Sequence, residues 1–207
     1  MGQDPDAPTE LPLRIGLFGG TFDPPHRGHI AVAADVADAL DLDQVLWIPA
    51  AQPPHKSLVS AASLALRLEM TRVAVKVDSR FEVSNIEVER GGVSYTLDTV
   101  QALRESHPGT ILFLIIGTDQ FRGFDTWRNP EKLLELAELV VMDRGGQSGQ
   151  DCVPEIEDIG KVHFVSVGQV DISSTDVRSA AHNGQDLSAL VPTKIAEIIL
   201  REGLYAD

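Results

Sequence analysis

The stretch "LRIGLFGGTFDPPHRGHIAVAADVADAL", residues 13–40, decides the fold. Its apolar opening reads as a strand over residues 13–18, and two glycines and two prolines then break the pattern. Beyond the break, Ile30, Ala33, Ala34, Ala37 and Leu40 keep helical spacing. Strand, glycine-rich loop and helix, in that order, open a parallel sheet covered by helices.

The rest of the chain repeats this alternation. "DQVLWIPA" is a second strand, the polar "AQPPHKSLVS" a loop, and "AASLALRLEMTRVAVKV" an amphipathic helix with Leu64, Arg67 and Leu68 within one turn. "FEVSNIEVERGGVSYT", residues 81–96, reads as short β segments with turns at Asn85 and at Gly91 and Gly92. The next helix is capped by Ser94 or Thr96 and stopped by Pro108 and Gly109. "TILFLIIGTD" is a continuous apolar run, as expected of a central parallel strand buried on both faces. A helical stretch to residue 137 follows, then strands in "ELVVMDR" and "KVHFVSV", separated by the acidic, glycine-rich residues 145–160 around Cys152. Two C-terminal helices start at Ser173 or Ser174 and at Pro192. The expected class is α/β.

With 207 residues, 43% of them hydrophobic, the chain can bury a sizeable core. Residues 1–12 are expected to be a flexible tail and residues 13–207 a single domain. A net charge of −14 with thinly spread Lys and Arg opposes nucleic-acid binding, whereas backbone N–H groups and a few placed cations can still hold a small anion. The single cysteine excludes an intrachain disulfide and suits a reducing cytoplasm, and no apolar run approaches the roughly 20 residues that span a bilayer. Composition leaves the oligomeric state open, homo-oligomers included.

Two motifs sit where an α/β sheet binds ligands, beyond the carboxyl ends of its strands. In "GGTFDPPHRGHI" the glycines admit a ligand close to the backbone, and the helix that begins near Arg27 turns its positive end outward. Neither a P-loop nor a GxGxxG fingerprint is present. Instead His26 and His29, three apart, can both donate to phosphate oxygens. A metal site is the weaker alternative, because catalytic zinc needs a third protein ligand and no carboxylate cluster accompanies them. A plain capped helix start is the other. In "ISSTDVR", Ser173, Ser174 and Thr175 open a helix, and Arg178 follows Ser174 by four residues on the same face.

Taken together, "GGTFDPPHRGH", "PPHK", "GVSYTLDT", "GTD", a following tryptophan and "ISSTDVR" resemble, in that order, the bacterial nicotinate-nucleotide adenylyltransferases of the nucleotidylyltransferase superfamily. The resemblance spans nearly the whole chain. It implies a Rossmann-like open parallel sheet with helices on both faces and C-terminal helical elements. It also implies ATP and nicotinate mononucleotide as substrates, with Mg²⁺ entering with ATP. By the same resemblance His26, His29 and Arg178 are catalytic, and Gly19, Gly20, Thr21, Phe22, Gly28, Gly117, Asp119, Ser173, Ser174 and Thr175 bind ATP. Lys56, Tyr95, Thr96, Asp119 and Trp127 bind the acceptor. Trp127 stacks on the pyridine ring, and the helix start at Tyr95 and Thr96 receives the carboxylate. "GTD" where the family has GAD, and no second aromatic in "FDTWRNP", are departures on the acceptor side. Rival readings are a phosphopantetheine or amide-preferring adenylyltransferase, and a nucleotide sensor without turnover.

Overall fold

The computed structural model describes residues 11–52, 62–143, 154, 156, 159–168 and 171–206. The chain runs β1 (Arg14–Gly20), α1 (Arg27–Ala39), β2 (Gln44–Pro49), α2 (Leu64–Ala74), β3 (Phe81–Val83), α3 (Ile86–Arg90) and α4 (Thr96–Ser106). It continues through β4 (Ile111–Gly117), α5 (Thr118–Arg122), α6 (Pro130–Leu136), β5 (Glu138–Asp143), β6 (Val162–Ser166), α7 (Ser174–His182) and α8 (Thr193–Arg201). The six strands form one sheet in the order β3-β2-β1-β4-β5-β6, and every neighbouring pair is parallel. This is a Rossmann-like sheet, and its direction of winding reverses between β1 and β4.

Period-two alternation within the strands sorts side chains onto two faces. Phe18, Val45, Trp47, Phe113, Ile115 and Val140 pack on one face against residues of α1, α2, α7 and α8. Ile15, Leu17, Leu46, Leu112, Leu114 and Val141 pack on the other against α4, α6 and the short α5. Because both faces are covered, β4 carries five consecutive buried residues, which is why its sequence is an unbroken apolar run. Each large apolar side chain buried this way contributes roughly 1.5–3 kcal/mol.

Two expectations are corrected. β1 reaches Gly20, where Gly19 and Gly20 register with Ile48 and Pro49, so the two glycines end the strand rather than follow it. In residues 81–96 only Phe81–Val83 is a strand, and Ile86–Arg90 is the helix α3. The reason is tertiary. Glu87 is buried, and its Oε1 accepts the Thr99 hydroxyl of α4 at 2.8 Å, a contact that favours one helical turn over the extended chain. Gly91, at φ 67°, then ends α3 in a conformation that side-chain-bearing residues rarely adopt.

Candidate active site

The reversal between β1 and β4 places the loops after β1, β2 and β4 beside one another at the carboxyl edge of the sheet. On one side of this edge lies a corner made by the loop after β1 and the start of α7. On the other lies a cavity of about 730 Å³ bounded by β1, β4, α4 and the segment 126–128.

In the corner, His26 occupies the N-cap of α1 with extended backbone and is 3% exposed. Its backbone N–H donates to Nδ1 of His29 at 3.2 Å, so neutral His29 carries its proton on Nε2. The two rings lie 3.7 Å apart between centroids, and Phe22 meets the His29 ring edgewise at 5.2 Å. His29 is thereby held in one orientation. Not all the N–H groups at this helix start face outward as expected. That of Arg27 donates to Leu190 O at 2.9 Å, and that of His29 to His26 O at 3.0 Å.

The second motif docks onto the first. Ser174 Oγ donates to Pro24 O at 2.9 Å, Arg178 Nη1 to Asp23 O at 2.8 Å, and Arg178 Nη2 to Thr175 Oγ1 at 3.0 Å. Ser173 is the N-cap, with Oγ accepting from the Asp176 N–H at 3.2 Å and Asp176 Oδ2 accepting from the Ser173 N–H at 2.8 Å and hydroxyl at 2.5 Å. The Ser173 hydroxyl and N–H hold the Asp176 carboxyl below the usual carboxylate range. Gly28 sits at the seam. A Cβ there would lie 3.0 Å from His26 Nδ1 and 3.2 Å from Ile172 O, so this glycine keeps the motifs together rather than leaving room for a ligand. Gly19 is different, because a Cβ on it would meet nothing within 4 Å.

The cavity takes Gly19 and Gly20 from the end of β1, Thr21 from the loop after it, Tyr95 and Thr96 from the start of α4, and Trp127. Tyr95 is the N-cap of α4, in place of Ser94 or Thr96. Ser94 stitches the chain after β2 to this helix: its Oγ accepts from the Ala51 N–H at 3.1 Å, and its N–H donates to Gln52 O at 2.9 Å. Trp127 lies in a loop with its ring against Phe124 at 5.2 Å, half-buried on the core of that face, so loop and packing descriptions both hold. Arg128 sits 4.8 Å over the Tyr95 ring and pairs with Asp98 at 3.3 Å. A cation thus stands where a second aromatic was missing from "FDTWRNP".

Several expected residues lie outside the cavity. His26, Gly28, His29, Ser173, Ser174, Thr175 and Arg178 form the corner beside it, and Thr21 and Asp23 join the two. The Phe22 side chain is buried. Its ring is 2% exposed, packed between Phe18 and Trp47, and supports the site from beneath. Gly117 ends β4, where a Cβ would make only ordinary contact with the Met142 methyl at 4.0 Å, and the Asp119 side chain on α5 is 94% exposed, with Arg122 at 3.5 Å. Gln120, one position on, faces the cavity. Lys56, the tail over residues 1–10 and Cys152 lie outside the described residues. Among the described residues no group of three or more His, Cys, Asp or Glu is placed to hold a metal ion.

Sequence reasoning missed the buried polar residues beneath the site. Arg67, 2% exposed, donates from Nη1 to Thr21 O at 2.7 Å and to Ala50 O at 2.9 Å, tying the loops after β1 and β2. Burial lowers its pKa, opposed by the charge of Asp23. The signal was available: Arg67 shares the buried stripe of α2 with Met70, Thr71 and Ala74. Asp23 and Tyr205 carried no such pattern.

A cytidylyltransferase-like family model matches residues 17–180. A protein of Gemmatimonas aurantiaca named "Probable nicotinate-nucleotide adenylyltransferase" is 40% identical over 198 residues, covering 94% of this chain and 93% of that one. One of Salinibacter ruber with the same name is 37% identical, covering 93% and 98%. Among solved structures, the nicotinic acid mononucleotide adenylyltransferase of Plasmodium falciparum complexed with NaAD shares the fold, with a TM-score of 0.75 at 18% identity over 93% of this chain and 97% of that one. With the two motifs docked at the switch point of a Rossmann-like sheet, the chain belongs to the cytidylyltransferase-like family and, within it, to the nicotinate-nucleotide adenylyltransferases.

Proposed function

We propose that the protein transfers the adenylyl group of ATP to nicotinate mononucleotide, giving nicotinate adenine dinucleotide and pyrophosphate in the biosynthesis of NAD. The observation that carries this reading is the docking of Ser174 and Arg178 onto Asp23 and Pro24, directly beside a cavity that shares the same loop. One substrate phosphate chain fits the corner, a flat heterocycle fits the cavity, and Thr21 lies where they meet.

A phosphate oxygen of the mononucleotide attacks the α-phosphorus of ATP, a new P–O bond forms, the bond to the β-phosphate breaks, and pyrophosphate leaves with the electron pair. No covalent enzyme intermediate is involved, so catalysis rests on positioning and charge neutralisation. His29 presents Nε2–H to the phosphates from its fixed orientation. His26 orients that ring and contributes its own donor, and Arg178 neutralises charge developing on pyrophosphate. The starts of α1 and α7, with Thr175, cradle the remaining oxygens. Ser173 acts as the cap of α7. Gly19 and Gly20 permit close approach at β1, Gly117 does so at β4, and Asp119 accepts from ribose hydroxyls. Mg²⁺ arrives on the phosphates of ATP as part of the substrate.

On the acceptor side Trp127 stacks on the pyridine ring, and the α4 start at Tyr95 and Thr96 receives the nicotinate carboxylate with Arg128 nearby. Lys56 serves the acceptor phosphate. Residues 13–207 are the domain that does this work, in the cytoplasm. Pyrophosphate release from ATP, with nicotinate mononucleotide, its amide and phosphopantetheine supplied separately, is the test. Release is expected with the first acceptor above the others, and release with none rejects the reading.

A further inference from the structure

The loop between β1 and α1, which ends at His26, is held from below by a buried polar cluster that includes Tyr205. Asp23, 7% exposed, accepts at Oδ1 from the Tyr205 hydroxyl at 2.7 Å and from the Ala62 N–H at 3.2 Å, while its backbone carbonyl receives Arg178. The Arg67 guanidinium lies close enough for its charge to act on both Asp23 and Tyr205. Burial, and after it the bond to Asp23, pushes the Tyr205 phenol well above its usual range, so it stays a donor at every working pH. Tyr205 also holds φ at 67°, an uncommon conformation for a bulky residue that persists only where surrounding contacts impose it.

We infer that Tyr205 is a positioning residue: its hydroxyl fixes the Asp23 carboxylate and, through the Asp23 backbone, the geometry of Arg178 and the histidine loop. A buried carboxylate that loses a donor turns toward another. One neighbouring donor is Arg67, whose Nη1 holds Thr21 O and Ala50 O, so a carboxylate that turned toward it would pull on the loops after β1 and β2. The adjustment therefore passes to the loop. Its effect on turnover rests on the activity proposed above, whereas its effect on the loop does not.

Tyr205→Phe removes one oxygen and keeps the ring. Amide hydrogen exchange over residues 19–30 is expected to quicken at least about threefold, with β4 and β5 unchanged, because the loop alone is loosened. At saturating ATP, kcat is expected to fall roughly tenfold with acceptor KM within about twofold of wild type. Asp23→Asn combined with Tyr205→Phe is expected to fall no further than the worse single variant, since both remove one interaction. Arg201→Ala, which breaks only surface pairs with Glu69 and Glu202 near the same terminus, is expected to match wild type in both readouts. Unchanged exchange over 19–30, a rise spread evenly through β4 and β5, or unchanged kcat with a loosened loop each overturns the inference. A loosened loop in a protein whose wild type turns over none of the acceptors overturns the proposed activity instead and leaves the brace established.

Discussion

The corner formed with α7 and the cavity beside it share one loop and are built in opposite ways. In the corner, Ser174, Arg178 and Arg67 all donate to backbone carbonyls of other segments, so the cations and hydroxyls are set by main chain. In the cavity, Arg128 lies over the Tyr95 ring and pairs with Asp98 at the surface, and Trp127 packs on Phe124, on short segments after β3 and β4. Under the proposed function, the difference separates two tasks. Neutralising a polyphosphate demands fixed donors, because a donor that must reorganise loses most of its effect on the transition state. Choosing an acceptor needs shape and a few polar contacts, which side chains on loops supply and change readily.

If the corner holds the chemistry, His29→Ala should show the largest effect, lowering kcat by about 100-fold or more with a modest change in acceptor KM. Steady-state kinetics at saturating ATP measures it, and wild-type kcat would move the chemistry out of the corner. Gly28→Ala tests whether the seam between the motifs is sterically closed. The added carbon meets the His26 ring and Ile172 O, so a stability loss of about 1–3 kcal/mol by denaturant unfolding is expected, with reduced kcat. A neutral result would mean that the seam can open.

Trp127→Ala tests the other region, and should raise acceptor KM about tenfold while ATP KM holds, since one aromatic face is lost. A change in ATP KM of equal size would show that the regions are not separable. Ser173→Ala should have the smallest effect, lowering Tm by about 2–4 °C through loss of a helix cap. Its partner Asp176 has a depressed pKa, so the cap is fully present above the ordinary carboxylate value and is lost as pH falls through the depressed one. The Tm difference between wild type and variant should therefore hold from neutral pH to about 5 and shrink below about 4.

Much of this was legible along the chain, and the reason is local periodicity. The run at residues 110–117, the helical spacing after Ile30 and the capping serine at 173 each announce an element within a few residues. The family resemblance also joined His26, His29 and Arg178, and the structure brings them to one corner. What failed depended on partners far away. Residues 86–90 read as β because their alternation is local, but Glu87 answers to Thr99. The packing of Gly28 and Phe22 was likewise out of reach of their own motif, because their neighbours include Ile172, Phe18 and Trp47.

The sequence by itself determined the parallel α/β architecture and the two polar motifs, since strand and helix periods and glycine breaks are written in neighbouring residues. Only the tertiary structure decided which donors at the helix starts are already engaged, that Arg128 rather than an aromatic borders Tyr95, and that Arg67, Asp23 and Tyr205 meet under the loop. Asp23 and Tyr205 stand 182 positions apart, and a contact across that distance imposes no repeat on the chain between them. Burying a charged group requires specific partners wherever the fold can bring them, and the fold alone names those partners.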